Sequence, residues 1–282
     1  MAGELPPRPD EQVDVAVVVV THESRDVIDE CLASIPRGVE GLTSDVVVVD
    51  NASEDGTVDA VRAHHPWVRL ITTTRRAGFS ENCNLGAAIV NARHLVLLNP
   101  DTVVRAGAVT ELVRHLEGDP AVGCVAPRLV YRDGRFQPSV RRFPTLGSVA
   151  VRRTPLRLVW KHSQIERRHL RSDELADVTE PVDIDWALGA ALAIRSEVWR
   201  ALGGLDEGYR LYCEDIDLCW RIHQSGWTVR YVPSAVVAHD LGEDTRRRFF
   251  TVRTWWHLRS MWRFVRRHGL PGNRDALAST PH

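Results

Sequence analysis

Four short apolar runs, rich in β-branched residues, recur in the first hundred residues of the chain. Residues 15–20 are five valines and one alanine, typical of a central parallel strand covered on both faces. The other runs occupy residues 45–49, 68–72 and 94–98. Apolar residues at helical spacing fill the intervals, from residue 24 or 26 to 33, over 57–64 and over 80–91. This alternation predicts an α/β fold with a mostly parallel sheet flanked by helices.

The second half of the chain follows a less regular pattern. Asp133-Gly134 lies between the short runs 129–131 and 135–137 and predicts a hairpin turn. Residues 144–180 are arginine-rich and weakly periodic, which indicates a loop region or short helices. Residues 183–194 are small and apolar and precede a helix that ends near residue 201. A helix over 214–224, ended by Gly226, and strands over 228–232 and 235–238 complete the predicted elements.

Composition excludes several classes of protein. The 282 residues are 44% hydrophobic with a formal net charge of −1, which predicts a globular protein that does not bind nucleic acid. The five cysteines form no CxxC pair, so we expect neither a disulfide framework nor a zinc site. The polar, proline-rich residues 1–12 are expected to be disordered and do not form a signal peptide. No apolar run reaches the ~18 residues that span a bilayer, so we expect a cytoplasmic protein.

Polar residues follow two of the predicted strands. Asp50 ends the second strand, and Asn99-Pro100-Asp101 follows the fourth. Carboxylates at strand ends of α/β proteins face bound nucleotides or hold a divalent metal, although Asp50 can also cap a turn and Asp101 a helix over 106–116. The first strand is followed by Thr21-His22-Glu23-Ser24, which lacks the glycines of a dinucleotide-binding loop, and no GxxxxGK[ST] motif occurs. We therefore expect a metal to neutralise the phosphates of a bound nucleotide.

A second group of polar residues lies near the end of the chain. Glu214, Asp215 and Asp217 share the first turn of a predicted helix, where the helix dipole favours acids in any case. Crowded carboxylates can raise one pKa, which suits a general base. His239 ends the run 236–238, and a lone histidine is more often structural than a ligand. Taken in order, Asp101, Asp215 and His239 suggest metal ligand, base and imidazole for chemistry on a diphosphate ester.

These residues resemble the motifs of glycosyltransferase family 2. Val17-Val-Val-Val-Thr21 and Val47-Val-Val-Asp50-Asn51-Ala-Ser53 are similar to its opening blocks, and Gly78-Phe79 with Cys83-Asn84-Leu85-Gly86 to the next. Leu97-Leu98-Asn99-Pro100-Asp101 is similar to the Asp-x-Asp metal motif in the form found in the rhamnosyltransferase-like branch. Six further segments resemble motifs of the same branch. They are Gln137-Pro138-Ser139, Arg141-Arg142-Phe143-Pro144, Asp185-Trp186, Gly189-Ala190, Gly203-Gly204-Leu205-Asp206-Glu207 and Glu214-Asp215-Ile216-Asp217-Leu218-Cys219. The ordered match covers residues 13–240.

The resemblance implies the GT-A fold and inverting transfer of a sugar from a nucleoside-diphosphate sugar. It implies a nucleotide-binding half, 13–102, an acceptor and catalytic half, 103–242, and a C-terminal helical tail, 243–282. Asp215 would be the catalytic base, with Glu214 orienting it or contacting the acceptor, and Asp101 and His239 would hold Mg²⁺ or Mn²⁺. The implied nucleotide-sugar site consists of Thr21, Glu23, Asp50, Asn51, Gly78, Asn84, Asn99 and Asp101, and the sugar and acceptor pocket of Trp186, Gly189, Ala190 and Glu214.

The resemblance also indicates substrates. It implies rhamnose from dTDP-rhamnose, transferred to a glycan or polyprenyl-diphosphate-linked acceptor in cell-wall or surface-polysaccharide biosynthesis. A UDP-hexose or another deoxysugar donor, or a nucleotide-sugar-binding protein without turnover, remains an alternative. A nucleotidyltransferase is disfavoured because the chain has no early glycine- and lysine-rich phosphate loop. Asn99 replaces the first acid of Asp-x-Asp, so the diphosphate would hold much of the metal, and Glu23 replaces an asparagine of many relatives.

The tail combines arginine with aromatic residues. Residues 246–268 include Arg246-Arg-Arg-Phe-Phe250, Trp255-Trp256, Trp262 and Phe264-Val-Arg-Arg267. This composition predicts a helix on the anionic inner face of the plasma membrane, and the alternative is a helix packed on the domain. A homodimer is a further possible association.

Overall fold

The computed structural model describes residues 9–143, 175–240 and 252–269. The strands are β1 (Val13–Thr21), β2 (Ser44–Asp50), β3 (Arg69–Thr72), β4 (Ala92–Leu98), β5 (Thr102–Val104), β6 (Val122–Val130), β7 (Val140–Arg141), β8 (Val182–Ile184), β9 (Trp186–Ala187), β10 (Ala191–Arg195) and β11 (Thr228–His239). The helices are α1 (Ile28–Gly38), α2 (Thr57–His64), α3 (Phe79–Ala88), α4 (Ala108–Gly118), α5 (Ser196–Leu202), α6 (Glu214–Gln224) and α7 (Val252–His268).

A nine-stranded sheet forms the centre of the molecule. Its strand order is β3-β2-β1-β4-β10-β6-β11-β5, and β8 pairs with β11 beside β5. Strands β1 to β4 are parallel, β10 runs antiparallel between β4 and β6, and β11 is parallel to β6. Six of the nine strands therefore share one direction, which confirms the predicted α/β class with a mostly parallel sheet.

Alternate side chains of the central strand reach two separate cores. Val15, Val17 and Val19 pack with α1 and α4, while Ala16 and Val18 pack with α3, α5 and α6 on the opposite face. All five of these β1 side chains are buried. A strand covered on both faces needs apolar residues at every position, which explains why β1 is a continuous apolar run.

The structure adds strands that the periodicity does not predict. Residues 191–195 form β10, which is antiparallel to β4 and joins the two halves of the sheet. Residues 122–130 form β6, and β5 separates Asp101 from α4, so Asp101 does not cap that helix. The two late strands are one strand, β11, with a register shift between residues 232 and 236. The predicted turn at Asp133-Gly134 is confirmed by the Val130–Phe136 bridge.

The C-terminal helix α7 packs against the domain. Phe264 is fully buried, with its ring centroid 6.1 Å from that of Trp220 on α6. His268 Nε2 lies 2.7 Å from Asp217 Oδ1, and Arg263 forms an ion pair with Asp206 at 2.9 Å. The other face of α7 is exposed, with Trp262 61% and Leu258 49% accessible. Residues 241–251 and 270–282, which include part of the predicted tail, lie outside the described residues, as do residues 1–8 and 144–174.

Two further features concern the whole chain. All five cysteines are buried and have free thiols. No helix within the described ranges has the length and hydropathy needed to cross a bilayer.

Candidate active site

The carboxyl ends of β1 and β2 bring two polar side chains together. Thr21 and Asp50 are register partners on these adjacent parallel strands, and both side chains are buried. Asp50 Oδ1 accepts a hydrogen bond from the Ser53 N–H at 3.0 Å, so this carboxylate does cap the turn. Within the described residues, Asp50 Oδ2 and Thr21 Oγ1 have no hydrogen-bond partner. Buried polar atoms normally have partners, so this edge is suited to a polar ligand.

Neighbouring residues shape the same edge. Asn51 holds the segment after β3, since its Oδ1 accepts from the Ala77 N–H at 2.7 Å and its Nδ2 donates to the Ala77 carbonyl at 3.2 Å. Glu23 has a positive φ of 51°, and its Oε1 accepts from the Glu54 N–H at 2.8 Å. Gly78 allows close backbone approach, because an added Cβ would lie 3.2 Å from Arg210 Cα. These contacts fix the loops that surround Thr21 and Asp50.

Asn84 makes its described hydrogen bonds away from those loops. Its Oδ1 accepts from the Leu205 N–H at 2.9 Å, and its Nδ2 donates to the Leu205 carbonyl and to Glu207 Oε1. Gly204, which has a positive φ of 73°, leaves room for the Asn84 side chain. The amide therefore anchors the turn that follows α5, and its role in nucleotide binding stays a prediction.

A row of three polar side chains lies where β4 and β11 end. The Asn99 carbonyl accepts from the Thr102 hydroxyl at 2.7 Å, which turns the chain at Asp101. His239 is buried, with Nε2 3.5 Å from Asp101 Oδ1 and Nδ1 2.9 Å from Gln137 Oε1. Because Gln137 presents its oxygen, Nδ1 carries the hydrogen, and in the neutral imidazole Nε2 presents its lone pair toward Asp101.

This row has the chemistry of a partial metal site. Asp101 Oδ1 is buried without a hydrogen-bond partner in the described structure, and it faces the His239 lone pair. Two electron-pair donors that face each other fit a divalent cation. The side-chain oxygen of Gln137 orients the imidazole, as hydrogen-bond acceptors behind metal-binding histidines commonly do. No group of three or more His, Cys, Asp or Glu side chains suited to a metal occurs among the described residues. The remaining ligands would have to come from a substrate such as a diphosphate.

Glu214 and Asp215 begin α6 and differ in their surroundings. Asp215 accepts hydrogen bonds from two backbone N–H groups, Gly189 at 3.1 Å and Ile216 at 2.8 Å. Glu214 is buried, and its Oε2 has no partner within the described residues. Burial raises the pKa of both carboxyls. The adjacent charge of Asp215 adds to the rise in the pKa of Glu214. The N–H donors and the Arg141 guanidinium counteract the rise in the pKa of Asp215, so Asp215 is the group of the pair that ionises.

The backbone that leads into α6 adopts an unusual conformation. Tyr212 and Cys213 have positive φ angles of 67° and 70°, which side chains other than glycine rarely adopt. Strained residues of this kind cluster at functional sites, where the surrounding structure holds them. Here the Tyr212 ring stacks on His257 of α7 with a centroid distance of 5.1 Å. The helix α7 therefore supports the turn that orients Glu214 and Asp215.

The segment after β9 connects the two groups of polar residues. Trp186 is buried and donates from Nε1 to the Arg142 carbonyl at 2.9 Å. Gly189 approaches Asp215 so closely that an added Cβ would lie 3.4 Å from Asp215 Cβ. The Ala190 carbonyl accepts from the Asn99 N–H at 2.9 Å. This segment thereby links the catalytic carboxyl candidate to the metal-motif turn.

Asp217 belongs to a different cluster. It is fully buried, lies 2.6 Å from Arg221 Nε and accepts a hydrogen bond from the Tyr209 hydroxyl at 3.2 Å. Its third partner, His268, is on α7. Asp217 therefore anchors α7 and is not paired with Glu214 or Asp215.

Sequence reasoning gave no role to three polar residues of the site. The buried atoms Gln137 Nε2, Ser139 Oγ and Arg141 Nε have no hydrogen-bond partner within the described residues. The available signal was polar residues at every second position of one segment, because alternate residues of an extended chain share a face.

The sequence matches a known family. Residues 16–179, more than half of the chain, match the family described as Glycosyl transferase family 2. The chain belongs to this family and is a glycosyltransferase. It is 31% identical over 245 residues to the N-acetylglucosaminyl-diphospho-decaprenol L-rhamnosyltransferase of Mycobacterium tuberculosis, covering 82% of this chain and 77% of the relative. It is 26% identical over 280 residues to the rhamnosyltransferase WbbL of Escherichia coli K12, covering 95% and 99%.

Solved glycosyltransferases share the fold. The mannosyltransferase PcManGT of Pyrobaculum calidifontis, in complex with GDP-Man and Mn²⁺, gives a TM-score of 0.56 at 19% identity over 98% of this chain and 81% of that protein. GalNAc-T7, with UDP, GalNAc and Mn²⁺, gives 0.59 at 18% identity over 82% of this chain and 44% of that protein. These likenesses confirm the GT-A fold that the motifs predict.

Proposed function

We propose that this protein is an inverting, metal-dependent rhamnosyltransferase that uses dTDP-rhamnose and a lipid-diphosphate-linked glycan acceptor. The observation that carries the proposal is the placement of Asp215. Its two oxygens are oriented by the Gly189 and Ile216 N–H groups, and Gly189 is one residue from Ala190, which binds the metal-motif turn at Asn99. A base and a diphosphate site are thereby connected through one short segment.

Asp215 acts as the general base. Its carboxylate takes the proton of an acceptor hydroxyl while that oxygen attacks the anomeric carbon from the face opposite the diphosphate. The new carbon–oxygen bond forms as the bond to the diphosphate breaks, and the nucleoside diphosphate leaves with the electron pair. Glu214, kept protonated by burial, donates a hydrogen bond to the acceptor and does not compete for its proton.

Asp101 and His239 would hold a divalent cation, Mg²⁺ or Mn²⁺, together with the donor diphosphate. Such a cation would supply positive charge that stabilises the departing diphosphate. Gln137 keeps the His239 lone pair directed toward the site through the hydrogen bond to Nδ1. Two protein ligands agree with the replacement of the first acid of the metal motif by Asn99.

Thr21 and Asp50 bind the nucleoside at the ends of β1 and β2, where open α/β sheets bind nucleotides. Glu23, Asn51, Gly78 and Asn99 complete this part of the site by fixing its loops. The choice of rhamnose is supported by the two relatives named rhamnosyltransferases, which match most of this chain, and the choice of a diphosphate-linked acceptor by the name of the Mycobacterium tuberculosis relative. Such an acceptor places the enzyme at the inner face of the plasma membrane, in cell-wall or surface-polysaccharide biosynthesis.

A transfer assay tests the proposal. The purified chain is incubated with Mn²⁺, N-acetylglucosaminyl-diphospho-lipid and, in turn, dTDP-rhamnose, UDP-glucose, UDP-galactose, UDP-N-acetylglucosamine or GDP-mannose. We expect transfer from dTDP-rhamnose, loss of transfer with EDTA, and an anomeric configuration opposite to that of the donor. Transfer from another donor corrects the sugar, whereas binding of a nucleotide sugar without transfer to any acceptor supports a non-catalytic binding protein.

A further inference from the structure

Three polar side chains, two of them buried and one half-buried, occupy every second position of the segment that precedes and enters β7. Gln137 and Ser139 are 2% and 1% accessible, and the Nε of Arg141 is hidden from solvent. Of these three side chains, the proposed mechanism uses only the side-chain oxygen of Gln137, which accepts from His239. Its amide nitrogen, the Ser139 hydroxyl and the Arg141 Nε have no hydrogen-bond partner among the described residues. A row of unused donors of this kind fits an anionic ligand.

The row runs from the metal candidates to the base candidate. At one end Gln137 contacts His239. At the other end Arg141 pairs in register with Trp186 of β9, and its guanidinium carbon lies 5.5 Å from the centroid of the Trp186 ring. The negative charge of Asp215 acts on Arg141, so this end of the row lies on the side of the base candidate.

Arg141 is half-buried, and its Nε is hidden from solvent without a hydrogen-bond partner in the described structure. Burial lowers the pKa of Arg141, and the negative charge of Asp215 counteracts this shift. The guanidinium carbon lies over the Trp186 ring. A hidden N–H donor without a partner is costly, and a phosphate oxygen pair matches the planar fork of a guanidinium. An arginine in this position is suited to a phosphate group of a substrate.

We propose that Arg141, with Ser139, binds the diphosphate of the acceptor, so that the enzyme selects diphosphate-linked acceptors over neutral glycosides. This inference rests on the proposed function. The donor diphosphate is assigned to the Asp101 and His239 end of the row, and the donor sugar occupies the interval to Asp215. The anion that reaches Arg141 beside the base is then the one carried by the acceptor.

Binding measurements on the full chain test this assignment without turnover. Calorimetry with Mn²⁺ and dTDP present compares N-acetylglucosaminyl diphosphate on a short alkyl chain with the octyl glycoside of N-acetylglucosamine. Wild type should prefer the diphosphate, and Arg141→Gln should weaken its binding by roughly 10- to 100-fold, the effect of losing hydrogen bonds to a charged group. Binding of the octyl glycoside and of dTDP should not change. Arg141→Lys keeps the charge but loses the planar guanidinium, so its affinity for the diphosphate should lie between those of wild type and Arg141→Gln.

Arg135→Gln is the matched control, because Arg135 lies in the same segment with its side chain 76% exposed. It should keep the wild-type preference. A wild type that shows no preference for the diphosphate, or an Arg141→Gln protein that retains it, would overturn the assignment. Weaker dTDP binding in a folded Arg141→Gln or Arg141→Lys protein would instead place the guanidinium on the donor diphosphate. Failure of wild type to transfer any sugar counts against the proposed function. The calorimetric comparison of the two acceptor analogues can still be interpreted in that case, because it measures binding without turnover.

Discussion

At the residue scale, two adjacent carboxyl groups have different roles because their environments differ. Burial raises the pKa of both Glu214 and Asp215. Only Asp215 has two backbone N–H donors and a neighbouring guanidinium among the described contacts, and all three favour its ionised form. This division of protonation states between neighbours is what a base beside a hydrogen-bond donor requires.

This division predicts a pH dependence. A protonated Asp215 cannot accept the proton of the acceptor, so kcat/KM should fall as the pH is lowered through the raised pKa of Asp215. Arg141→Gln removes a positive charge that stabilises the carboxylate, which raises that pKa further and should move the acidic limb to higher pH. The measurement is the pH profile of kcat/KM for wild type, Arg141→Gln and the control Arg135→Gln. A limb that moves to lower pH in Arg141→Gln contradicts the electrostatic account.

The Gln137–His239–Asp101 row predicts a metal phenotype. Gln137→Met preserves length but removes the oxygen that accepts from His239 Nδ1, so the imidazole loses its fixed orientation. Changes in such outer-shell partners typically lower metal affinity by about 10- to 100-fold. We expect the Mn²⁺ concentration for half-maximal transfer to rise by this factor. Gln224→Met, at the exposed end of α6, is the control. An unchanged Mn²⁺ requirement in Gln137→Met would mean that Gln137 does not support a metal ligand.

Much of the site was predictable at this scale, for a physical reason. Thr21 and Asp50 end buried strands, Asn99 and Asp101 follow one, and the ends of parallel strands share one sheet edge whatever the loops do. Ser139 and Arg141 were given no role because their segment pairs mainly with the two-residue strand β9, which periodicity cannot detect. The use of Asp217 as an anchor for α7 depends on Arg221, Tyr209 and His268, which only the folded chain brings together.

At the element scale, α7 is a structural part of the region that carries Glu214 and Asp215. Ser260 Oγ donates to the Leu211 carbonyl at 2.9 Å, and Arg263 and Arg267 both bind Asp206. With the stack of His257 on Tyr212, these contacts attach α7 to the whole turn before Glu214. The helix therefore holds the strained backbone that presents the two carboxyls.

Two aromatic residues of α7 give a matched test of this packing. Phe264 is fully buried, whereas Trp262, two residues away, is 61% exposed. Phe264→Ala should lower the free energy of unfolding by about 3–5 kcal/mol, since a cavity forms between α7 and α6. Trp262→Ala should change it by no more than about 0.5 kcal/mol. Urea unfolding measures both, and equal losses for the two variants would contradict the packed orientation of α7.

Elements were predictable where one face or both faces of a regular segment are buried. Strands β1, β2 and β4 contain continuous apolar runs, and α6 has its stop signal at Gly226. Strand β10 was not predictable, because Ala191 and Ala193 are too small to mark a strand, and its antiparallel pairing with β4 depends on the chain returning from β9. The antiparallel insertion is a property of tertiary packing that local sequence does not encode.

At the scale of the whole molecule, the sheet order brings the candidate groups at the ends of β1, β2, β4 and β11 to one edge, and α7 presents an exposed face. Leu258 and Trp262 lie one helical turn apart on that face, and the Arg266 guanidinium lies 5.1 Å from the Trp262 ring centroid. Apolar side chains flanked by arginine suit the surface of an anionic bilayer, where a lipid-linked acceptor resides. We therefore retain membrane contact as a prediction for this face, alongside the packing of the opposite face.

Flotation with anionic vesicles tests the membrane prediction. Wild type should float with vesicles that contain phosphatidylglycerol, and a Leu258→Glu, Trp262→Glu double variant should remain at the bottom, because carboxylates at the contact are repelled and poorly solvated. Trp67→Glu replaces an exposed tryptophan, 46% accessible, outside α7 and should float like wild type. Vesicle binding that the double variant retains would assign the contact to another surface.

The central claim, that this glycosyltransferase uses Asp215 as its base, is tested most directly by comparing transfer and donor binding in Asp215→Asn. General-base catalysis contributes about 10²- to 10⁴-fold, so kcat should fall by at least that factor while the affinity for dTDP-rhamnose stays at the wild-type value. Asp59→Asn, a carboxylate 88% exposed on α2, should show neither change. An Asp215→Asn enzyme that transfers rhamnose at the wild-type rate would contradict the account.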